Sequence, residues 1–88
     1  MPRVCLREPL KRLAGNRAEH ELAGATVGAA LLALEREHPQ LDGWILDERG
    51  HVRRHIAVFV AGESGGEDTP VGPGDAVDVL PAISGGSR

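Results

Sequence analysis

Residues 74–86 read GDAVDVLPAISGG, and they place a strand directly before a pair of glycines near the end of the chain. Val77 and Val79 alternate with the residues around them, which is typical of a strand with one buried face. Pro81 has no amide hydrogen to offer a neighbouring strand, so we expect the strand to end there. We therefore predict one folded domain over residues 1–81 and an extended, mobile tail over residues 82–88.

One helix is predicted upstream of this strand. Thr26 can cap its first turn, and Pro39 disfavours helical geometry at the residue before it, which ends the helix. Between these two positions, four apolar residues recur at helical spacing and form one stripe: Val27, Ala30, Leu31 and Leu34. The helix therefore has one face for a core.

Apolar alternation predicts the other strands. It is clearest from His55 to Ala61, with Ala57 and Phe59 on the face opposite Ile56, Val58 and Val60. A weaker alternation at Val4 and Leu6, and again over residues 18–22, predicts an N-terminal hairpin with a long connection. We expect residues 62–68 to be a flexible loop, because they are rich in glycine and acidic residues.

The order of these elements indicates the fold class. The chain reads as strand, strand, helix, strand, short elements, strand, which favours an α+β two-layer domain. If the first and last strands are parallel neighbours and the helix crosses them, this is the β-grasp (ubiquitin-like) arrangement, a mixed sheet packed on one main helix. Residues 41–46 form an irregular apolar patch, which we expect to cover one end of the core.

Composition excludes several classes of protein. The chain has 88 residues, 41% of them hydrophobic, which suits one small core. Its longest apolar run, residues 27–34, is far shorter than the about 20 residues that cross a membrane. No secretory signal pattern is seen, so we expect a cytoplasmic protein without a membrane partner. A single cysteine excludes a disulfide framework and a multi-cysteine zinc site.

Charges are unevenly distributed along the chain. Residues 1–17 carry five basic side chains and one acidic, whereas residues 63–86 carry five acidic side chains and no basic one. Nucleic-acid binders concentrate basic residues and usually add stacking aromatic rings, but the aromatic residues here are only Trp44 and Phe59. We therefore expect no nucleic-acid partner. The acidic third favours either a basic partner or a solvated face.

No conventional active site is predicted. His51 and His55 lie where a loop enters a strand, so they are not neighbours as they would be on a helix, and a metal site needs three or four converging ligands. Cys5 lies between two arginines that could lower its pKa, but no histidine is placed beside it. The glycines of residues 62–66 and 72–74 lack the lysine and helix of a phosphate loop. We expect no bound metal or cofactor and no enzyme activity.

The glycine pair suggests a different chemistry. Gly85 and Gly86 have no Cβ, so they can thread a narrow channel and bring a carboxylate close to another protein's reacting groups. A carboxylate resists nucleophiles, but an acyl-adenylate has a good leaving group that sulfur can displace. Taken alone, a glycine-rich tail more often indicates plain disorder.

Residues 75–86 closely resemble the MoaD/ThiS family of ubiquitin-like sulfur carriers, whose pattern is Gly-Asp, alternating strand residues, then Pro-x-Val/Ile-small-Gly-Gly. Gly74 completes the Gly-Asp pair. Residues 26–28 at the helix start and 58–63 in the long strand extend the resemblance over nearly the whole chain. The segment over residues 46–61 is most similar to the CysO-like and MoaD-like branch.

The resemblance implies that a MoeB/ThiF-like activating enzyme adenylates the Gly86 carboxylate with ATP and magnesium. The adenylate would then become a thiocarboxylate and donate sulfur to a biosynthetic enzyme, as in molybdopterin, thiamin thiazole, cysteine or natural-product synthesis. The tail threaded into the partner would be Ile83, Ser84, Gly85 and Gly86, and the partner surface would be Phe59, Leu80, Ala57 and Pro81. The alternative for Phe59 is that another element covers it.

Two residues depart from the family pattern, because Ser87 and Arg88 follow the second glycine. Gly86 then carries an amide, so adenylation requires removal of this dipeptide, for which a JAMM-type metalloprotease is the expected partner. An inactive carrier and a cloning remnant are the alternatives. Two other functions compete with a carrier, namely a ubiquitin-like modifier of lysines and a β-grasp binding module that makes no use of its terminus. We expect a monomer that associates transiently during activation.

Overall fold

The computed structural model describes residues 1–81, which form a sheet and one main helix. In chain order the elements are β1 (Arg3–Leu6), α1 (Leu10–Leu13), β2 (Glu19–Glu21), α2 (Val27–Glu37), a 3₁₀ turn (Pro39–Leu41), β3 (Ile56–Val60), β4 (Glu63–Gly65) and β5 (Ala76–Pro81). No helix in this part of the chain is both long enough and apolar enough to cross a membrane.

The strands form one mixed sheet in the order β2-β1-β5-β3-β4. β1 and β5 are parallel neighbours at its centre, with Val4 beside Val77 and Leu6 beside Val79. The other neighbouring pairs, β1–β2, β3–β5 and β3–β4, are antiparallel. The parallel pairing of the first and last strands confirms the predicted β-grasp arrangement.

The core lies between the sheet and α2. The strands contribute a layer of buried valines, namely Val4, Val58, Val77 and Val79, each at most 2% exposed. The helix contributes the stripe predicted from the sequence, and Val27, Ala30, Leu31 and Leu34 are all fully buried. Complete burial of a side chain as large as Val or Leu stabilises a fold by about 1.5–3 kcal/mol. The central strands and α2 are therefore held together mainly by apolar contact.

The first three amides of α2 each donate a hydrogen bond to an acceptor outside the helix. As predicted, Thr26 caps the helix, and its Oγ1 accepts a hydrogen bond from the amide of Ala29 at 3.2 Å. The two amides before Ala29 donate to carbonyls of the loop before β5: that of Val27 to Thr69 and that of Gly28 to Glu67, both at 2.9 Å. These bonds satisfy groups that a helix leaves unpaired and tie its start to the segment before β5.

The segment predicted as a flexible loop contains a strand, so that prediction is wrong. Ala61 and Gly62 adopt left-handed backbone conformations, with φ of 52° and 85°, and they turn the chain back beside β3. β4 then pairs with β3, with Val60 opposite Glu63. A hairpin needs only a tight turn and unpaired backbone groups on the neighbouring strand, so polar composition did not prevent one here.

The long connection of the N-terminal hairpin also contains an element that the sequence pattern did not predict. The four-residue helix α1 buries Leu10, and Ala14 at its end is fully buried.

After the C-terminal end of α2, Leu41 and Ile45 join the core with no exposed surface, as expected for residues 41–46, whereas Trp44 is 44% exposed.

Gly24 packs against the backbone of α2. An added Cβ there would lie 2.6 Å from the amide nitrogen of Ala30, so the loop or the helix would have to move. We expect Gly24→Ala to lower the free energy of unfolding by about 1–3 kcal/mol.

Urea unfolding followed by circular dichroism measures this loss. Gly66→Ala is the matched control, because a Cβ at Gly66 meets nothing within 4 Å, and it should change the free energy of unfolding by less than about 0.5 kcal/mol. Equal stabilities for the two variants would show that the close approach at Gly24 is unimportant.

Candidate functional site

Three residues predicted to bind a partner lie together on the face of the sheet opposite α2. Ala57 on β3 lies opposite Leu80 on β5, and Phe59 lies opposite Asp78. Opposite residues on neighbouring strands project to the same face, as do alternate residues along one strand. Each of these side chains is half-buried, so part of its surface stays in contact with solvent. We call Ala57, Phe59 and Leu80 the apolar patch.

Pro81 does not belong to the apolar patch. It lies opposite Ile56, which is 7% exposed and faces the core. Since successive residues of a strand alternate between the two faces, Leu80 and Pro81 cannot both face outward. Pro81 therefore lies on the other face of the sheet from the apolar patch, and its contact with a partner remains a prediction.

Asp78 adds a charge beside the apolar patch. Its neighbours on the outer face of the sheet are Phe59 on β3 and Cys5 on β1. A thiol, a carboxylate and an aromatic ring therefore lie in one row across three adjacent strands. Sequence alternation predicts the face of each residue, but this row depends on the strand order, which alternation does not reveal.

The environment of Cys5 does not favour a reactive thiol. Burial raises the pKa of Cys5 above its usual 9.0, and the negative charge of Asp78 raises it further. The side chain of Arg3 acts in the opposite direction but has a smaller effect. Of the two flanking arginines, Arg3 lowers this pKa as expected, but burial and Asp78 outweigh it, so the pKa is raised overall. A thiol that remains protonated at neutral pH is a weak nucleophile.

Two carboxylates of the acidic segment, residues 63–86, accept hydrogen bonds from backbone amides. An oxygen of Glu67 accepts a hydrogen bond from the amide of Val52 at 2.9 Å, and an oxygen of Asp75 accepts from the amide of Gly72 at 2.8 Å. The bond from Val52 is the main reason that the pKa of Glu67 is lowered. Asp75 thus stabilises a turn and Glu67 links two separate loops, so residues 63–86 are not simply a solvated face.

Two of the four histidines are in contact with each other, and the other two are exposed. His51 and His55 are exposed, whereas His20 is 4% exposed on β2. Nε2 of His20 lies 2.8 Å from the carbonyl oxygen of Arg17, and its ring packs edge-on against His38. Over residues 1–81, no three His, Cys, Asp or Glu side chains are grouped so that they could hold a metal ion.

The other predicted site residues lie outside the described residues. They are the tail residues Ile83, Ser84, Gly85 and Gly86 and the dipeptide Ser87 and Arg88. The described chain ends with β5 at Pro81, one residue after Leu80. A partner bound to the apolar patch would therefore lie next to the point where residues 82–88 continue the chain.

Comparisons with known proteins agree with the fold described above. The small archaeal modifier protein 1 of Haloferax volcanii is 37% identical over 62 residues, which cover 70% of this chain and 71% of that protein. The sulfur carrier protein CysO of Mycobacterium tuberculosis is 31% identical over 78 residues, covering 82% of this chain and 84% of CysO. The crystal structure of the Amycolatopsis orientalis BexX/CysO complex matches with a TM-score of 0.86 at 29% identity, over 98% of this chain and 100% of that chain.

A five-stranded mixed sheet on one main helix, with such relatives, defines a small ubiquitin-like protein of the carrier or modifier class. The model of the ThiS family matches residues 6–86, and the chain belongs to that family. The resemblance identified from residues 75–86 is thereby confirmed.

Removing the charge of Asp78 should make Cys5 more reactive. The variant Asp78→Asn takes away one cause of the raised pKa while it leaves the burial of the thiol in place. We expect the pKa of Cys5 to fall and its alkylation by iodoacetamide at pH 8 to become about threefold faster.

Because the chain has one cysteine, the intact mass reports the reaction directly. Glu48→Gln, an exposed carboxylate that is not among the causes of the shift, is the control and should leave the rate unchanged. An Asp78→Asn rate equal to or below the wild-type rate would contradict the effect of this charge.

Proposed function

We propose that this protein is a sulfur carrier whose Gly86 carboxylate, once Ser87 and Arg88 have been removed, is adenylated and converted to a thiocarboxylate. The observation that carries the proposal is the family match, which extends through residue 86 and so includes the glycine pair. The half-buried apolar patch supports it, because exposed apolar surface on a small domain often marks a binding site.

The chemistry proceeds in two displacements. An oxygen of the Gly86 carboxylate attacks the α-phosphorus of ATP, and pyrophosphate leaves. A sulfur nucleophile delivered by a donor then attacks the acyl carbon, and AMP leaves, so one carboxylate oxygen is replaced by sulfur. The chain contributes the reacting carboxylate and the surface that holds it, while ATP and magnesium belong to a MoeB/ThiF-like activating enzyme.

Hydrolysis must precede activation in the sequence as it stands. Gly86 is joined to Ser87 by a peptide bond, which water must cleave to release a carboxylate. We assign this step to a metalloprotease of the JAMM type, and the later acceptance of sulfur to a biosynthetic enzyme. The BexX/CysO complex gives a precedent for a relative that assembles with another protein.

A second candidate is a ubiquitin-like modifier, which the 37% identity to small archaeal modifier protein 1 favours. It would use the same adenylate, but a lysine amine of a target protein would displace AMP in place of sulfur. Lys11 is the single lysine of this chain, so lysine-linked chains of the protein itself would have to grow through that residue.

The intact mass of the protein from its native host tests the proposal. We expect a chain that has lost Ser87 and Arg88 and in which part of the population carries one oxygen-to-sulfur exchange. A chain that retains Arg88 under sulfur-demanding growth would contradict the carrier. Processed protein found in isopeptide conjugates, with no thiocarboxylate, would favour the modifier.

The apolar patch can be tested with a chain that ends at Gly86. Phe59→Ser and Leu80→Ser should each lower kcat/KM for adenylation by the activating enzyme by about tenfold or more, because an apolar contact at the centre of an interface is lost. ATP–pyrophosphate exchange measures this rate.

Leu32→Ser is the matched control for these variants. Leu32 is 42% exposed on α2 and is not part of the apolar patch, so its substitution should leave kcat/KM unchanged. Circular dichroism checks that all three variants are folded. An equal loss in all three would show that the effect is not specific to the patch.

A further inference from the structure

β2 forms one edge of the sheet, and its hydrogen bonds to β1 follow the alternating antiparallel pattern. The amide of Leu6 donates to the carbonyl of Ala18 at 2.7 Å, and the amide of Leu22 donates to the carbonyl of Pro2 at 3.1 Å. Hydrogen-bonded pairs recur at every second residue of an antiparallel ladder. The residue midway between them on β2 therefore bonds to β1 in the same way.

That residue is His20, which lies opposite Val4. Its neighbours Glu19 and Glu21 must then direct their amide and carbonyl groups away from β1, towards the edge of the sheet. Edge groups of this kind are the template on which an extended segment of another protein adds a strand.

A cleft of 390 Å³ opens beside this edge. It lies between β2 and the last residue of α2, and its lining is Arg3, Arg17, Glu19, His20, Glu21 and Glu37. Burial lowers the pKa of His20, so this ring is neutral at pH 7. The three carboxylates of the lining therefore outnumber its two guanidinium groups.

The opposite edge of the sheet is built differently. β4 has three residues and runs directly into its own turn, in which the amide of Gly66 donates to Oγ1 of Thr69 at 2.9 Å. The position that a Cβ of Gly65 would occupy lies 2.8 Å from the same oxygen. The side chain of Thr69 therefore lies against the end of β4, whereas a cleft lies beside the edge of β2.

The charges along β2 disfavour a second copy of this chain as the added strand. Glu19 and Glu21 are both exposed on the outer face. An antiparallel pairing of two β2 edges about His20 would place Glu19 of one copy opposite Glu21 of the other, twice. Like charges directly opposite each other in a sheet are destabilising, whereas opposite charges stabilise the pair.

We propose that the edge of β2 binds an extended segment of another protein that carries Lys or Arg at alternate positions. The two basic residues of that segment lie opposite Glu19 and Glu21 and exchange backbone hydrogen bonds with them. The residue between them lies beside His20, on the side of the cleft. Alternation in the bound strand thus gives both the charge pairing and the contact with the cleft.

This surface is separate from the apolar patch. The patch lies on β3 and β5, and β1 separates β5 from β2. Two strand spacings amount to about 10 Å. A partner held at the edge of β2 would therefore leave β5 and the apolar patch accessible, and the proposal does not depend on the chemistry of Gly86.

A peptide titration of the full-length chain labelled with ¹⁵N tests the proposal. The probe is acetyl-Thr-Lys-Val-Lys-Thr-amide, and we expect its addition to shift the amide resonances of Glu19 and Glu21. Methylation of the two lysine amide nitrogens in the probe should abolish the shifts, because those groups donate to β2 in the bound strand. The same peptide with Glu in place of Lys should not bind.

The double variant Glu19→Gln and Glu21→Gln should bind the probe about tenfold more weakly, since two ion pairs are lost. Its matched control is Glu48→Gln with Glu63→Gln, which changes the net charge equally away from this edge and should bind as the wild type does. The proposal is overturned if the probe leaves Glu19 and Glu21 unshifted at millimolar concentration. It is also overturned if the methylated probe binds equally well, or if the Gln variant binds unchanged, since the glutamates would then only guard the edge against association.

Discussion

The parallel pairing of β1 with β5 is the contact on which the rest of the structure depends. It brings the two ends of the folded domain together at the centre of the sheet, with Val4 beside Val77 in the core. Two strands so far apart in sequence can be parallel neighbours only if the chain crosses the sheet between them, and α2 makes that crossing. The buried stripe of α2 then covers the valines that this pairing places side by side.

In this pairing the two faces of β5 have different roles. Val77 and Val79 are fully buried, so they hold the strand in place. Asp78 and Leu80 alternate to the outer face, where Asp78 has neighbours on β3 and β1 and Leu80 has Ala57 on β3. Because the core fixes the inner residues, the outer residues have a defined position, and residues 82–88 continue from a strand whose last two residues pair with β3.

Local patterns in the sequence predicted much of this architecture, and the exceptions have physical reasons. The cap at Thr26, the stripe of α2 and the alternation of β3 are properties of single segments, so the sequence displays them directly. β4 was missed because its existence depends on the turn at Ala61 and on unpaired groups of β3. The face on which Pro81 lies depends on the register of β5 with β3, and the row formed by Cys5, Asp78 and Phe59 depends on the strand order. Neither property can be read from a single segment. The backbone groups exposed at the edge of β2 were likewise not predictable, since they depend on how β2 pairs with β1.

The central place of β5 also determines how the domain responds to force. When a partner grips the residues that follow Pro81 and pulls along the strand, the load falls on both ladders at once, with β1 on one side and β3 on the other. The hydrogen bonds are then sheared together, whereas a strand peeled from an edge loses them one at a time. A pull along β5 is thus resisted by many hydrogen bonds at a time, whereas a pull that peels an edge strand meets them singly.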